Sequence, residues 1–256
     1  MDRLIFTSLA SINERRLLRE QLNNELANIS TVGFKRSFDS AMTAVKAEGD
    51  GFDSRIQPFI QQKDAVSMAP GTLMATGRST DIAINEKGVL GVLGKDGTLG
   101  FTRRGDLSVN SQGVLENGAG NVVLGQGGNP ITIPSGFDVT ITKEGDIYAR
   151  DLNQPGVQPS VLIDRLMLRD SSQMTFERRE DALMRPQPEF RQPNGDFANG
   201  PLPVTVTPQA LESSNVNPVV AVVKLIDYTR TFESQIRFIK EAKSLDESGM
   251  SMLKPR

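Results

Sequence analysis

The sequence predicts an α+β chain: long N- and C-terminal helices pair as an α-helical, coiled-coil-like domain around a central antiparallel all-β domain. Three observations carry this. Apolar residues recur at three- and four-residue steps at both ends of the chain. From about Ala75 the apolar pattern shifts to period two. Glycine-containing turn signals then separate short apolar runs.

At the N-terminus, Ile5, Leu9, Ile12, Leu18, Leu22, Leu26 and Ile29 mark one helix over residues 2–30, uninterrupted by Gly or Pro. Gly33 follows closely and suits a left-handed cap. At the other end Asn217 is a good N-cap and Pro218 a good first helical residue. Val222, Leu225, Ile226, Thr229, Phe232, Ile236 and Ile239 continue the helix to near Leu245, with Gly249 and Pro255 ending the pattern.

In the middle, residues 81–84, 107–109, 121–124, 131–133, 139–141 and 161–163 read as short strands. Asp96-Gly97, Gln112-Gly113, Asn117-Gly118, Gly127-Gly128-Asn129 and Glu144-Gly145 read as their turns. The expected divisions are an N-terminal helix at 1–35, an irregular connector at 36–74 with glycines 49 and 51 breaking any helix, a β domain at 75–210 and a C-terminal helical segment at 211–256. The prolines between 186 and 203 mark a loop.

Composition narrows the function. The 256 residues contain no Cys and no His, which removes thiolate chemistry, zinc–thiolate sites and the commonest general base. A net charge of −2 gives no field for nucleic acid. With 5% aromatics and no Trp, a stacking site for sugars or bases is poorly supplied. No serine-nucleophile elbow, phosphate-binding loop or zinc-protease motif is present. Asp81, Glu86, Asp96 and Asp106 are acids of the β region, expected as solvated turn residues rather than a catalytic pair. Neither catalytic residues nor a cofactor or metal is expected. Arg3 followed by an apolar stretch only weakly resembles a secretory signal, and no cleaved signal is expected. No run is apolar enough to span a membrane.

Periodicity leaves two uses open for the terminal stripes. They can fold on each other as a cap within one chain, or pair with helices of other chains. The expected packing set is Leu18, Leu22, Leu26 and Ile29 beside Ile226, Phe232, Ile236 and Ile239. Asn28, Ser30 and Thr31 suit side-chain bonds that fix the exit from the first helix. Arg103 and Arg104 beside Gly105 read as a solvated hairpin face, with contact to a neighbouring subunit as the alternative.

Two segments flanking the helices carry a resemblance. Asn24-Glu25-Leu26-Ala27-Asn28-Ile29-Ser30-Thr31-Val32-Gly33-Phe34-Lys35 resembles the N-terminal signature of the flagellar rod and hook family, departing at Glu25, where the family has Asn. Leu211-Glu212-Ser213-Ser214-Asn215-Val216-Asn217 resembles the element that precedes the family's last helix, and Arg230-Thr231-Phe232-Glu233 an element within it. Asp81-Ile82-Ala83-Ile84 and Phe101-Thr102-Arg103-Arg104-Gly105-Asp106-Leu107 match the family's middle in order. The opening Met1-Asp2-Arg3-Leu4-Ile5-Phe6 and the length look most like its proximal-rod members. Glu86-Lys87-Gly88-Val89-Leu90 stands where distal-rod and hook members carry Gly-x-Gly-Phe-Phe.

The resemblance implies a structural subunit of the proximal rod of the bacterial flagellar basal body, with a distal-rod paralogue as the alternative; the residues alone also leave a periplasmic ligand-binding β module as an alternative. It implies export through the flagellar type III apparatus without a cleaved signal. The implied partners are that apparatus, other rod subunits and copies of the chain itself, in the periplasmic space.

Overall fold

The computed structural model describes residues 2–38, 42–46, 56–60, 65–151 and 159–252. Contacts divide the chain into two compact units: residues 1–27, 39–63 and 217–256 form one, and residues 28–38 and 64–216 form the other.

The first unit is built on helices α1 (Asp2–Ala27) and α2 (Pro218–Met252). Ser11 of α1 meets Gln235 in the middle of α2, and Arg15 to Glu25 share a groove with Lys224 to Thr231, so the helices run antiparallel. Helix α1 stops at Ala27, short of the expected residue 30. The Asn28 carbonyl accepts the Thr31 N–H at 3.1 Å, and the Thr31 hydroxyl bonds the Asn28 side chain, a local turn that competes with the helix. Helix α2 overruns its expected end and passes through Gly249, where the helix surface is open. The Asn217 side chain caps it, accepting the N–H groups of Val219 and Val220 at 3.0 and 3.2 Å.

The stretch expected to be an irregular connector contains an antiparallel hairpin among its described residues. Met42–Lys46 pairs with Ile56–Ile60, and the second strand lies against α1. Thr43 and Val45 opposite Phe59 and Gln57 supply the β-branched and aromatic residues that pleated strands favour. Glycines 49 and 51 and Pro255 lie outside the described residues.

The second unit is antiparallel β throughout its described residues. An eight-stranded sheet is centred on Gly88–Leu93, which pairs with Leu99–Thr102 and Val122–Val123. Phe137–Ile141, Asp146–Asp151 and Val161–Arg165 form a three-stranded meander. Two short ladders join Leu73–Ala75 to Ala210–Glu212 and Ile82–Ile84 to Val206–Pro208.

Gly88–Leu93 escapes period-two reading because it is buried on both faces, so apolar residues follow one another without alternation. Residues 131–133 make only an isolated bridge at Thr132 rather than a ladder, flanked by Pro130 and Pro134, which lack the N–H a ladder needs. Gly97, Gly113, Gly128 and Gly145 take left-handed conformations at the expected turns. At Asn117-Gly118 the left-handed residue is Gly120, because the Asn117 side chain accepts the N–H groups of Ala119 and Asn121 and sets the turn one step later.

The core has two parts. Ile82, Leu90, Leu107, Ile131, Ile141 and Ile147 centre one. Phe101, Phe176 and Phe197 centre the other, with ring centroids 4.8 to 5.9 Å apart in tilted and edge-on pairs.

Candidate assembly site

The two motif segments meet in the β unit. Gly33 is left-handed at φ 66°, though not as a helix cap, since α1 has already ended. Its N–H donates to the Glu212 carbonyl at 2.7 Å. A Cβ at Gly33 would lie 2.4 Å from the Arg103 backbone, so the conformation and the close approach both require glycine. Phe34 is buried beneath the Arg178 guanidinium, 4.3 Å from the ring centroid, and Arg178 also donates to the Lys35 carbonyl. Asn215 closes the seam: its N–H donates to the Phe34 carbonyl and its Oδ1 accepts the Arg36 N–H at 2.7 Å. Its Nδ2 donates to the carbonyls of Ser67 and Ala69, each at 3.0 Å.

Beneath this seam lies a buried ion cluster. Lys35 Nζ donates to Glu212 Oε1 at 2.7 Å and to the Ala69 carbonyl at 2.8 Å. Arg103 Nε donates to Glu212 Oε2 at 2.7 Å, while its terminal nitrogens donate to the carbonyls of Ile84, Glu86 and Gly88. The Gly71 N–H adds a third bond to the carboxylate at 2.8 Å. Two cations thus share one carboxylate out of contact with water, and every charge is hydrogen-bonded, the condition under which buried ions are tolerated. Burial lowers the Lys35 pKa to about 8, aided by the like charge of Arg103 and opposed by Glu212. Burial pushes Glu212 upward, but Arg103 and Lys35 together outweigh it and hold the carboxyl below its ordinary value.

The solvated reading of Arg103 is therefore corrected: its side chain is 2% exposed. The carboxylate that draws it inward lies in a distant segment, which no local pattern reveals. Arg104 is only partly exposed and pairs with Asp106 at 2.7 and 2.8 Å. A cavity of about 70 Å³ beside the cluster, lined by Gly33, Phe34, Asn117 and Arg178 among others, is far below the size of a metabolite site.

In the helical unit, Leu18 and Leu22 line a groove with Tyr228 and Thr231. Leu26, Ile236 and Ile239 are half-buried, as is Ile29 in the β unit. Ile226 and Phe232 stand exposed. The α1-facing side of α2 instead carries Tyr228, Thr231 and Gln235, whose Nε2 donates to Ser11 Oγ at 3.0 Å, with Ala221 and Ala242 buried on the same side. These residues follow a three-four spacing, but small and polar side chains make a faint periodic signal. On the opposite side, Val219, Val222, Val223 and Ile226 are 70, 45, 50 and 45% exposed.

Of the other motif residues, Ala27 and Ser30 are exposed, and Ser214 Oγ accepts the N–H of buried Val216 at 3.3 Å. Among the described residues no group of His, Cys, Asp or Glu is placed to hold a metal ion, and no helix is long and apolar enough to cross a membrane.

Comparison with known proteins identifies the family. Residues 207–252 match the family described as flagellar basal body rod FlgEFG protein C-terminal, and residues 83–149 match the flagellar hook protein FlgE/F/G D1 domain. The flagellar basal-body rod protein FlgF of Salmonella typhimurium is 33% identical over 250 residues, covering 97% of this chain and 96% of the relative. That of Escherichia coli is 32% identical over 97% of this chain and 96% of its own length. That of Caulobacter vibrioides is 29% identical over 99 and 98%. Carrying both family segments and aligning with these relatives from end to end, the chain belongs to the FlgF family of flagellar basal-body rod proteins.

Proposed function

We propose that the chain is a structural subunit of the proximal rod, joining related rod proteins and copies of itself in a shaft that crosses the periplasm and transmits torque. Its route to that place is the flagellar type III export apparatus. The observation that carries this reading is the start of α2. There Ala221 is buried on one side while Val219, Val222, Val223 and Ile226 present an exposed apolar surface on the other. A helix apolar on all sides belongs in the interior of something larger. Many such contacts, each modest, suit a shaft better than a freely diffusing protein.

The buried ion cluster supports the same reading. It binds the segment that follows α1 to the segment that precedes α2 within the β unit, so load on either segment passes into a packed core rather than a loop.

The test is genetic and structural together. In a strain lacking this chain, isolated basal bodies are expected to stop short of a complete rod. The unaltered chain is expected to restore them, and the Val223→Asp chain to be made but not retained. Complete rods in the deleted strain would overturn the reading.

A further inference from the structure

Among its described residues the β unit has a bare strand at one edge. Leu73–Ala75 pairs only with Ala210–Glu212 among the described residues. The Thr72 carbonyl accepts the Ser213 N–H, and the Thr76 N–H donates to the Gln209 carbonyl. Even-numbered positions therefore turn their peptide groups toward the partner strand, and those of Leu73 and Ala75 point away from it. Both faces are uncovered as well: Leu73 is 54% and Met74 45% exposed. Residues 72–77 carry no charge, although natural edges are usually blunted by charge, proline or a covering element. Leu73 also borders a cleft shared with Phe38 and Met68 and with Glu86, Lys87 and Lys143.

A second open edge has the matching chemistry. Val161–Arg165 is the outer strand of the meander and its strand partner among the described residues is Asp146–Asp151; the Arg165 carbonyl at its end accepts the Gln126 N–H at 2.7 Å, which leaves the edge open over residues 161–164. It too presents a consecutive apolar pair, Val161 and Leu162, 54 and 53% exposed. Asp164 stands two positions after that pair, with its Oδ1 accepting the Arg165 N–H at 2.7 Å, and the Arg165 side chain is committed to Asp146.

We infer that these edges are the two halves of one contact between copies: residues 161–164 of one copy add as a strand to Leu73–Ala75 of the next. The outward peptide groups of Leu73 and Ala75 gain partners, the two apolar pairs cover each other, and Asp164 meets the side of the cleft that carries Lys87 and Lys143. A second copy is the occupant because the chain itself carries both complementary halves. Two unlike patches on one molecule make a head-to-tail contact, which propagates instead of closing into a dimer. A single added strand buries far less than the roughly 800 Å² per partner of a stable complex. The contact therefore forms within the assembly and not in dilute solution. This inference rests on the rod reading above.

The chain has no cysteine, so thiols introduced at the two edges report this contact without background. Basal bodies carrying Leu73→Cys/Val161→Cys as the sole copy are isolated, oxidised and separated without reductant. Disulfide-linked dimers and longer ladders are expected from the double variant, monomer from either single variant, and monomer from all three after reduction. Leu73→Asp is expected to cut incorporation by about tenfold or more with thermal unfolding unchanged. Oxidised basal bodies that contain the double variant only as monomer would overturn the contact and leave the rod reading intact, as would wild-type incorporation of Leu73→Asp. Basal bodies devoid of the unaltered chain would overturn both.

Discussion

Glu212 and Arg103 lie 109 positions apart in the chain and bond at 2.7 Å, with side chains 1 and 2% exposed. Lys35, from the opposite end of the chain, occupies the other carboxylate oxygen. Removing the carboxylate leaves two cations facing each other out of water. Glu212→Gln is expected to cost about 3–5 kcal/mol in urea unfolding of the β unit, the usual penalty for breaking a buried pair. Replacing all three residues by apolar ones, as Lys35→Met/Arg103→Leu/Glu212→Leu, strands no charge, and its loss is expected to be the smaller one, set by the carbonyls of Ala69, Ile84, Glu86 and Gly88 that lose a donor. Equal losses in both variants would show that packing, not charge, makes the site sensitive.

The same cluster sets a pH dependence with a definite sign. With the Lys35 pKa lowered to about 8 from 10.5, the unfolded chain binds more protons than the folded one between those values. Stability then rises with pH across that window, by at most about 1.4 kcal/mol per unit. Glu212 acts at the other end of the scale: its lowered pKa contributes stability above the ordinary carboxylate value that is lost as pH falls through the folded one. Denaturant midpoints of the unaltered chain are expected to climb between about pH 8 and 10.5, and this slope to vanish in Lys35→Met. A slope that persists in the variant would assign it to another group.

Gly33 tests the seam above the cluster. Its positive φ costs an L-residue about 1–2 kcal/mol, and the added methyl would also strike the Arg103 backbone, which cannot rotate away. Gly33→Ala is expected to destabilise the β unit by more than about 2 kcal/mol in thermal unfolding. Gly77→Ala is the control: it shares the left-handed backbone but has open space around it, and it is expected to show the smaller loss.

Both helices and most turns are legible in the sequence because their signals are local. Three-four spacing marks α1 and α2, Asn217-Pro218 marks the cap, and four of the five expected turns fall on left-handed glycines. What stays hidden is set by partners far away in the chain. Gly88–Leu93 does not alternate because other strands cover both its faces. Gly33, Lys35, Arg103, Glu212 and Asn215 all lie in motif segments, but Arg103 still reads as a surface residue until Glu212 is brought beside it. In α2, periodicity picks out large apolar residues such as Ile226, whereas the buried side also uses Ala221 and Ala242, which carry little periodic weight.

The cap can be measured by itself. Asn217→Ala removes the acceptor for the Val219 and Val220 N–H groups. A loss of about 1 kcal/mol is expected, read as faster amide exchange confined to the first turn of α2, with the β unit unaffected. Exchange that quickens across the β unit would mean that Asn217 acts on more than the helix start.

The two sides of the helix pair separate folding from assembly. Leu22 lines the groove with Tyr228, so Leu22→Asp places a charge between the helices and is expected to lower helical circular dichroism in the purified chain. Ile226 is 45% exposed on α2, and Ile226→Asp meets water in the isolated molecule. Its dichroism and unfolding are expected to match the unaltered chain within about 0.5 kcal/mol. Motility and incorporation into basal bodies are nevertheless expected to fail in both, since the proposed packing covers in the shaft a surface that is free in the monomer. Normal swimming with Ile226→Asp would show that the exposed start of α2 faces solvent in the rod as well, and would remove the main structural support for its packing against neighbouring subunits.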